Sequence, residues 1–255
     1  MAAIAIDSST MLRRDLQHAI RFPMLTISAL LTPTIMMLLF VYVFGNAMSA
    51  VTGHGDYVNF LVPGILVMAI GSSCASTAVT VNIDMNEGII SRFRTMPIAR
   101  SSVLIGQVAG ALIRTALSLT LVVCVGLLAG FRPSADFLGF VAFAAVTLMI
   151  VFAMTWLALA FGMATRTPGG ANSTTLPLQF LPFISSAFLP PSAMSGGPAW
   201  FAAHQPFTPM IDTIRGLLTG GPVAQALPWA IGWCVAFTLV GYLWSLRLYN
   251  RDISR

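Results

Sequence analysis

Lysine is missing from this chain altogether: its 13 basic residues are all arginine. That absence excludes a Walker A lysine, a Schiff-base lysine and a lysine general base, so the chain cannot by itself be a P-loop ATPase. Charge of either sign is scarce too. At 8% charged against 57% hydrophobic, the composition leaves no polar shell for a soluble domain, and the solvent must be largely lipid. Cys74, Cys124 and Cys234 each lie in a long apolar stretch without the CxxC or Cys/His spacing of a zinc or redox site, and are read as buried, inert thiols. His18, His54 and His204 fall in separate regions, with no carboxylate pair and no Ser/His/Asp set beside them. No catalytic residue, metal site or cofactor site is expected on this chain. The net charge of +5 comes from small arginine clusters next to apolar runs rather than from one basic face, which argues for topology signals and against a nucleic-acid partner.

What is present is a series of long runs almost free of charge. A charge at the centre of a spanning helix costs about 2.5–3.5 kcal/mol even on lenient insertion scales, so such runs mark spans. The pattern predicts spans at Met24 to Phe44, Tyr57 to Val81, Gly110 to Gly130, Phe137 to Ala164, Asn172 to Leu189 and Ala224 to Leu246. Six spans of about 20 residues occupy nearly the whole length. The expected fold is an all-α integral membrane protein: an N-terminal interfacial helix over residues 1–22, a six-span domain over 23–247 and a cytoplasmic tail over 248–255. The first run is too long for a secretory signal and is followed by further spans.

Orientation follows from the arginines near span ends. Arg13, Arg14, Arg21, Arg92, Arg94, Arg100, Arg166, Arg247, Arg251 and Arg255 fall on one side, and only Arg132 and Arg215 on the other. This asymmetry puts both termini in the cytoplasm with an even number of spans. Arg114 interrupts the third span. Seventeen residues before Phe131, at about 1.5 Å each, it lies near the inner edge of the lipid core, where it either snorkels or faces an internal pathway.

Two charged segments flank the spans. Leu12, Leu16 and Ile20 form an apolar stripe among Arg13, Arg14, Gln17 and Arg21, which suits a helix on the inner membrane surface or a contact with a cytoplasmic partner. Between the second and third spans, Asn82 to Arg100 carries Asp84, Glu87, Arg92, Arg94 and Arg100 around Ile89, Ile90 and Phe93. Asn82 or Asp84 is expected to cap a short helix there, and Pro97 to stop it. This segment is either a solvated loop that enforces topology or a docking helix for a motor.

Polar residues inside the spans are few. Ser72, Ser76 and Thr80 repeat at four-residue intervals on one stripe of the second span, either permitting close packing or contacting substrate. Asn172, Gln179 and Ser186 are spaced by seven and are expected to share a face of the fifth span, whose Pro177 and Pro182 release backbone carbonyls. After Leu189, prolines at 190, 191, 198, 206 and 209 predict short broken helices at the outer surface, with Asp212 and Arg215 placed for a local ion pair. Trp229, Trp233 and Trp244 bracket the last span as interfacial anchors.

Three patterns, taken in order, carry a resemblance. They are Asp84, Glu87-Gly88, Arg92-Phe93-Arg94-Thr95-Met96-Pro97, Arg100 and Gly106; then Gly130-Phe131-Arg132; then Pro206-Phe207-Thr208-Pro209 with Asp212, Arg215 and Gly216. Over roughly residues 10–250 the chain resembles type-2 ATP-binding-cassette exporter permeases (the ABC-2 type), in particular their daunorubicin-resistance-like branch. The resemblance implies a transport subunit that is not itself an enzyme. It implies a separate nucleotide-binding subunit holding ATP and magnesium, and a second permease chain, identical or paralogous. Asp84, Glu87, Arg92 and Arg94 would make the coupling contact, and Asp212 and Arg215 an outer gate. Ser72, Ser76, Thr80, Asn172, Gln179 and Ser186 are the pathway candidates. The implied cargo is a hydrophobic or amphipathic compound such as a drug, an antibiotic or a lipid-like molecule, and the implied location is the bacterial plasma membrane. Two rivals stand beside it: a proton- or sodium-coupled transporter, which would want a midplane Asp, Glu or His not seen here, and a membrane-embedded enzyme or scaffold.

Overall fold

In lipid the backbone has no water to bond, so long apolar runs must satisfy their own N–H and C=O groups, and helix is the local solution. A computed structural model describes the backbone of residues 23–52, 57–86 and 100–251, with side chains over 31–45, 57–86 and 106–248. Its α-helices are α1 (Pro23–Thr52), α2 (Tyr57–Asn86), α3 (Arg100–Leu128), α4 (Phe137–Ala164), α5 (Pro168–Phe180), α6 (Gly196–His204), α7 (Phe207–Thr219) and α8 (Ala226–Arg251). Short 3-10 turns at Leu181–Ile184 and Pro191–Ala193 lie between α5 and α6. The fold is all-helical over the described residues.

Four of these helices, α2, α3, α4 and α8, are long and apolar enough to cross a membrane, and a shorter apolar stretch, Leu31–Gly45, lies in α1. The chain is a multi-pass membrane protein. Its outer surface agrees with this: Leu117 and Leu128 of α3, Phe137, Leu138 and Leu148 of α4, and Val235, Leu239 and Val240 of α8 are all exposed. A water-soluble monomer rarely shows so much contiguous apolar surface.

The bundle is built around α2. Helices α1, α3, α4, α5 and α7 all pack against it, while α8 lies on α4 and α7. Small residues permit the closest approaches. A Cβ added to Gly162 of α4 would lie 2.5 Å from the Ala78 carbonyl of α2, and one on Gly71 would lie 2.7 Å from the Leu178 carbonyl of α5. Without water to drive apolar faces together, this backbone-to-backbone contact is a main source of cohesion in lipid.

Sequence signals end the helices where chemistry requires. Asp136 caps α4 by accepting from Gly139 N at 2.8 Å. Thr167 caps α5 by accepting from Gly170 N at 3.1 Å, with Pro168 in the first turn, where its missing N–H is not needed. Gly220 closes α7 in the left-handed conformation at φ 71°, which costs glycine little.

Several expectations are corrected. α3 starts at Arg100, well before Gly110, and α8 runs through Arg251 into the expected tail, because helical hydrogen bonding need not stop where an apolar run does. The fifth span is not one helix. α5 stops at Phe180, where Pro182 prevents regular continuation, and a 3-10 turn takes over. Thirteen α-helical residues and four in 3-10 form still reach about 28 Å, close to the lipid core thickness. Asn82 and Asp84 do not cap a new helix, since both lie within the last turns of α2. Of the cysteines, Cys74 and Cys234 are buried, but Cys124 is exposed on α3. The N-terminal segment 1–22, with Leu12, Leu16 and Ile20, lies outside the described residues, as do Glu87, Arg92, Arg94 and Pro97.

Candidate functional site

Polar side chains concentrate at the two ends of α2. One end adjoins the connection to α3. There Asn82, fully buried, donates from its carboxamide to Gly162 O at 3.1 Å and Thr165 O at 2.6 Å. The last carbonyls of a helix have no partner within it, so Asn82 of α2 caps the C-terminus of α4. Asn86, one turn on, donates to Asn82 Oδ1 at 2.9 Å and to Arg166 O at 3.2 Å. Asp84 points to the other neighbour. Its carboxylate is buried and accepts from Gln107 of α3 at 2.5 Å. The last turn of α2, before the segment 87–99, is thus tied both to α4 and to α3 two turns beyond its start.

The middle of α2 carries the hydroxyl stripe. Ser72 donates to Met68 O, Ser76 to Ser73 O and Thr80 to Ser76 O, at 2.9–3.1 Å. Each donor is satisfied within its own helix. These groups can therefore face lipid-free space or a partner helix without desolvation cost, and their oxygens remain available as acceptors. Ser76 is exposed, whereas the side chains one residue either way, Ala75 and Thr77, are buried. Arg114 of α3 is half-buried.

The three residues spaced by seven do not share a face. Asn172 is exposed at the start of α5, and Gln179 turns back to Thr175 Oγ1 at 3.4 Å. Ser186 lies beyond the helix, buried, and donates to Asp212 Oδ1 at 2.7 Å. The helix breaks before the second interval of seven is complete, so the periodicity loses its meaning there.

Ser186 belongs instead to the opposite end of the bundle. The ion pair expected from sequence forms, with Arg215 Nη1 2.6 Å from Asp212 Oδ1. Arg215 does more than pair. Its Nη2 donates to Ser186 O at 2.5 Å and Phe60 O at 3.3 Å, its Nε donates to Phe60 O at 3.3 Å, and its guanidinium carbon sits 3.8 Å from the Phe60 ring centroid. One side chain of α7 thereby binds the start of α2 and the segment after α5. α7 packs against α2, α4 and α8 and is not one of the helices long enough to cross a membrane. Burial pushes the Arg215 guanidinium down to about 10, against the raising effect of Asp212, so it keeps its charge at neutral pH. Nearby, Asn59 Oδ1 accepts from Arg132 N at 2.8 Å, fixing the chain as it leaves α3.

Asp212 and Arg215 also form part of the wall of a cavity of about 760 Å³, which runs between α7 and the beginning of α8 and is bordered by Gln205, Thr219, Trp229 and Trp233. Gln205 is nine-tenths buried. It donates to Ile184 O at 2.6 Å, while its Oε1 has no partner among the described residues.

Sequence reasoning found the ion pair and the hydroxyl stripe but missed Phe60, Gln205, Gln107 and the capping role of Asn82. For Asn82 and Gln107 a signal existed: an amide beside long apolar runs needs a partner, and each has one on a neighbouring helix. Phe60 and Gln205 gave no such signal, because their roles depend on where α7 folds back.

Known proteins bear on this arrangement. A profile described as ABC-2 type transporter matches residues 8–219. The chain is 32% identical over 254 residues to the daunorubicin resistance ABC transporter permease protein DrrB1 of Streptomyces coeruleorubidus, covering 97% of this chain and 88% of that protein. It is 25% identical over 223 residues to the probable doxorubicin resistance ABC transporter permease protein DrrC of Mycobacterium tuberculosis, covering 85% and 80% respectively.

Proposed function

We propose a mechanism from one premise: the chain belongs to the ABC-2 type transporter family. It is the permease subunit of an ABC exporter and works with an ATP-binding subunit. The cargo we assign is a drug-like amphipathic compound, in keeping with the resistance named for its relatives and with spans that hold almost no charge. ATP and magnesium would sit on the partner subunit, since this chain has no lysine for a Walker A motif. The same reading has six spans, counting α1 and the broken α5. It has both termini on the cytoplasmic side of a bacterial plasma membrane, and a second permease chain, identical or paralogous, completing the pathway.

Coupling rests on one observation: Asp84, in the last turn of α2, is bonded to Gln107, two turns into α3, so the helices on either side of the segment 87–99 are joined. A push on that segment by the motor is delivered to α2 and α3 together rather than dissipated in a loose hairpin. In this proposal Glu87, Arg92 and Arg94 touch the motor, and Asp84 passes the displacement into the bundle. Ser72, Ser76 and Thr80, with Asn172 and Gln179, are proposed to line the pathway, and Asp212 with Arg215 to hold its outer gate. A proton- or sodium-coupled mechanism gains no support from the family match.

The test is purification of the chain with its ATP-binding subunit from native membrane, followed by a vanadate-sensitive ATPase assay and efflux from reconstituted vesicles. Glu87→Lys is expected to abolish cargo-stimulated ATP hydrolysis while leaving the helical content and melting temperature of the bundle unchanged. Unaltered stimulation and efflux in that variant would remove the coupling assignment.

A further inference from the structure

The contacts that hold α2 change in kind within a few residues. From Gly64 onward the helix meets its neighbours backbone to backbone. A Cβ on Gly64 would lie 2.7 Å from Ala187 Cα beyond α5, one on Gly71 would lie 2.7 Å from the Leu178 carbonyl, and one on Gly162 of α4 would lie 2.5 Å from the Ala78 carbonyl. Asn82 and Asp84 then tie the far end to α4 and α3. The tip, residues 57–62, is held instead by hydrogen bonds and side chains. Asn59 Oδ1 accepts from Arg132 N at 2.8 Å, Phe60 O accepts from Arg215 Nε and Nη2 at 3.3 Å, and the Phe60 ring faces that guanidinium. Those partners belong to the segment leaving α3 and to α7. Between the two regimes stands Pro63, the proline inside α2. It has no N–H, so the rung from residue 63 to the carbonyl of residue 59 cannot form, and its ring presses on the turn before it. Sharp bends of helices occur at such sites.

We propose that α2 is hinged at Pro63, and that the angle between its tip and the stretch 64–86 changes during the transport cycle while the contacts on either side persist. The layout suits a pivot. Gly64, the next residue, touches Ala187, whose neighbour Ser186 is bonded to both Asp212 and Arg215. The ties of α7 to the segment after α5 thus sit beside the pivot, where a bend displaces them least. Further along, the contacts at Gly71 and Gly162 keep the stretch 64–86 joined to α5 and α4, so it tilts with them rather than flexing along its length. Pro63 is then a positioning residue, acting through the tip: it lets residues 57–62 keep their bonds to Arg215 and Arg132 as the clamped stretch tilts. The inference rests on the exporter reading for the cycle in which the hinge is used, but not for the hinge itself.

The experiment follows hydrogen–deuterium exchange of the full chain in lipid nanodiscs, with overlapping fragments resolving the amides of Leu61, Val62 and Gly64. Pro63→Ala supplies the missing N–H and a far better helix former. It is expected to slow exchange at those three amides about fivefold or more, the effect of one added hydrogen bond, and to leave residues 68–81 unchanged. In the complex with the ATP-binding subunit, the same variant is expected to lower the maximal rates of cargo-stimulated ATP hydrolysis and of efflux about threefold or more, with KM for ATP constant and no fall in melting temperature. A proline that only fills space would not give a stiffer helix, an intact fold and slower turnover together. Pro63→Val, which also carries an N–H and fills more of the ring's volume, repeats both measurements if Pro63→Ala melts lower than the wild type. The inference is overturned by exchange that is unchanged or faster, by slower exchange with wild-type efflux, or by a lower melting temperature in both variants, which makes the proline a packing residue. The two readings fail separately. Unchanged exchange with the ATP-binding subunit recovered and efflux intact removes only the hinge, and slower exchange with no such subunit removes only the exporter reading.

Discussion

Replacing Arg215 by alanine tests how the α7 end of the bundle is held. The guanidinium supplies an ion pair at 2.6 Å, hydrogen bonds to two main-chain carbonyls and a ring contact at 3.8 Å. Breaking a buried pair by removing one partner costs about 3–5 kcal/mol. The lower end applies, because the Arg215 and Asp212 side chains are 17% and 38% exposed and water reaches the pair. Arg215→Ala should therefore cost about 3 kcal/mol. Asp212→Ala leaves the guanidinium both carbonyls and the Phe60 ring, and should cost about 1–2 kcal/mol. Arg215→Lys should fall between, since an ammonium cannot reproduce the planar fork that meets Phe60 O, Ser186 O and the carboxylate together. Thermal unfolding in mild detergent reads these as downward shifts of about 6–12 °C for Arg215→Ala and about 2–8 °C for Asp212→Ala, taking about 2–4 °C per kcal/mol for a chain of this size. The double variant should unfold close to Arg215→Ala alone, because most of what Asp212 contributes is delivered through the arginine. Asp212→Ala as costly as Arg215→Ala, or a strictly additive double variant, would refute this account of the network.

At the opposite end, Asn82→Leu removes the amide that caps α4 and takes its donor from the Thr165 carbonyl, while the Gly162 carbonyl keeps the Thr165 hydroxyl; a loss of about 1–3 kcal/mol is expected, read by the same unfolding assay. Gly162→Ala forces a methyl against the Ala78 carbonyl, and overpacking should cost about 1–3 kcal/mol, measured as a lower melting temperature and weaker expression in the membrane. Ser76→Ala should change stability by no more than about 0.5 kcal/mol, since its hydroxyl bonds only within its own helix. Efflux in that variant then separates pathway from packing: a shifted KM for cargo at constant melting temperature places Ser76 on the route, and an unchanged KM removes it.

Much of the fold could be read from sequence because charge is so costly in lipid. The fourth span, Phe137 to Ala164, coincides residue for residue with α4, where Asp136 marks the start with a cap and Thr165 follows the end. Helix ends flanked by arginine were harder, as α3 and α8 show, because an amphipathic turn in the headgroup layer resembles a connecting loop. The shared face expected on the fifth span failed for a different reason. Its seven-residue spacing assumes an unbroken helix, whereas Pro182 shifts the chain into a 3-10 turn and carries Ser186 away from Gln179 to Asp212. At the site, the Asp212–Arg215 pair was legible as a local interaction three residues apart. The partners Phe60 and Ser186 were not, since they come from segments 155 and 26 residues away that meet only after α7 folds onto α2.

The two polar ends are linked through α2. Phe60 and Asp84 are 24 residues apart on one helix, about 36 Å at 1.5 Å per residue, which places the Arg215 contacts and the Gln107 contact on opposite sides of the lipid core. Between them α2 is packed by five other helices, two of them at glycine contacts too tight to slide freely. Pro63 interrupts the hydrogen-bond ladder near the Phe60 end, and between Pro63 and Asp84 a helix so enclosed moves largely as a body. In the coupling proposed above, a displacement entering at Asp84 is carried along α2 towards Phe60, where the contacts with Arg215 either travel with α2 or break. If they travel, α7 and the cavity beside it move with the motor. If they break, the carbonyl of Phe60 loses the Arg215 guanidinium and the cavity wall changes while α7 stays in place. Arg215→Lys distinguishes these cases, because it weakens the contacts to α2 while retaining the charge beside Asp212. Slower efflux with undiminished ATP hydrolysis identifies contacts that must hold, and faster efflux identifies contacts that must release.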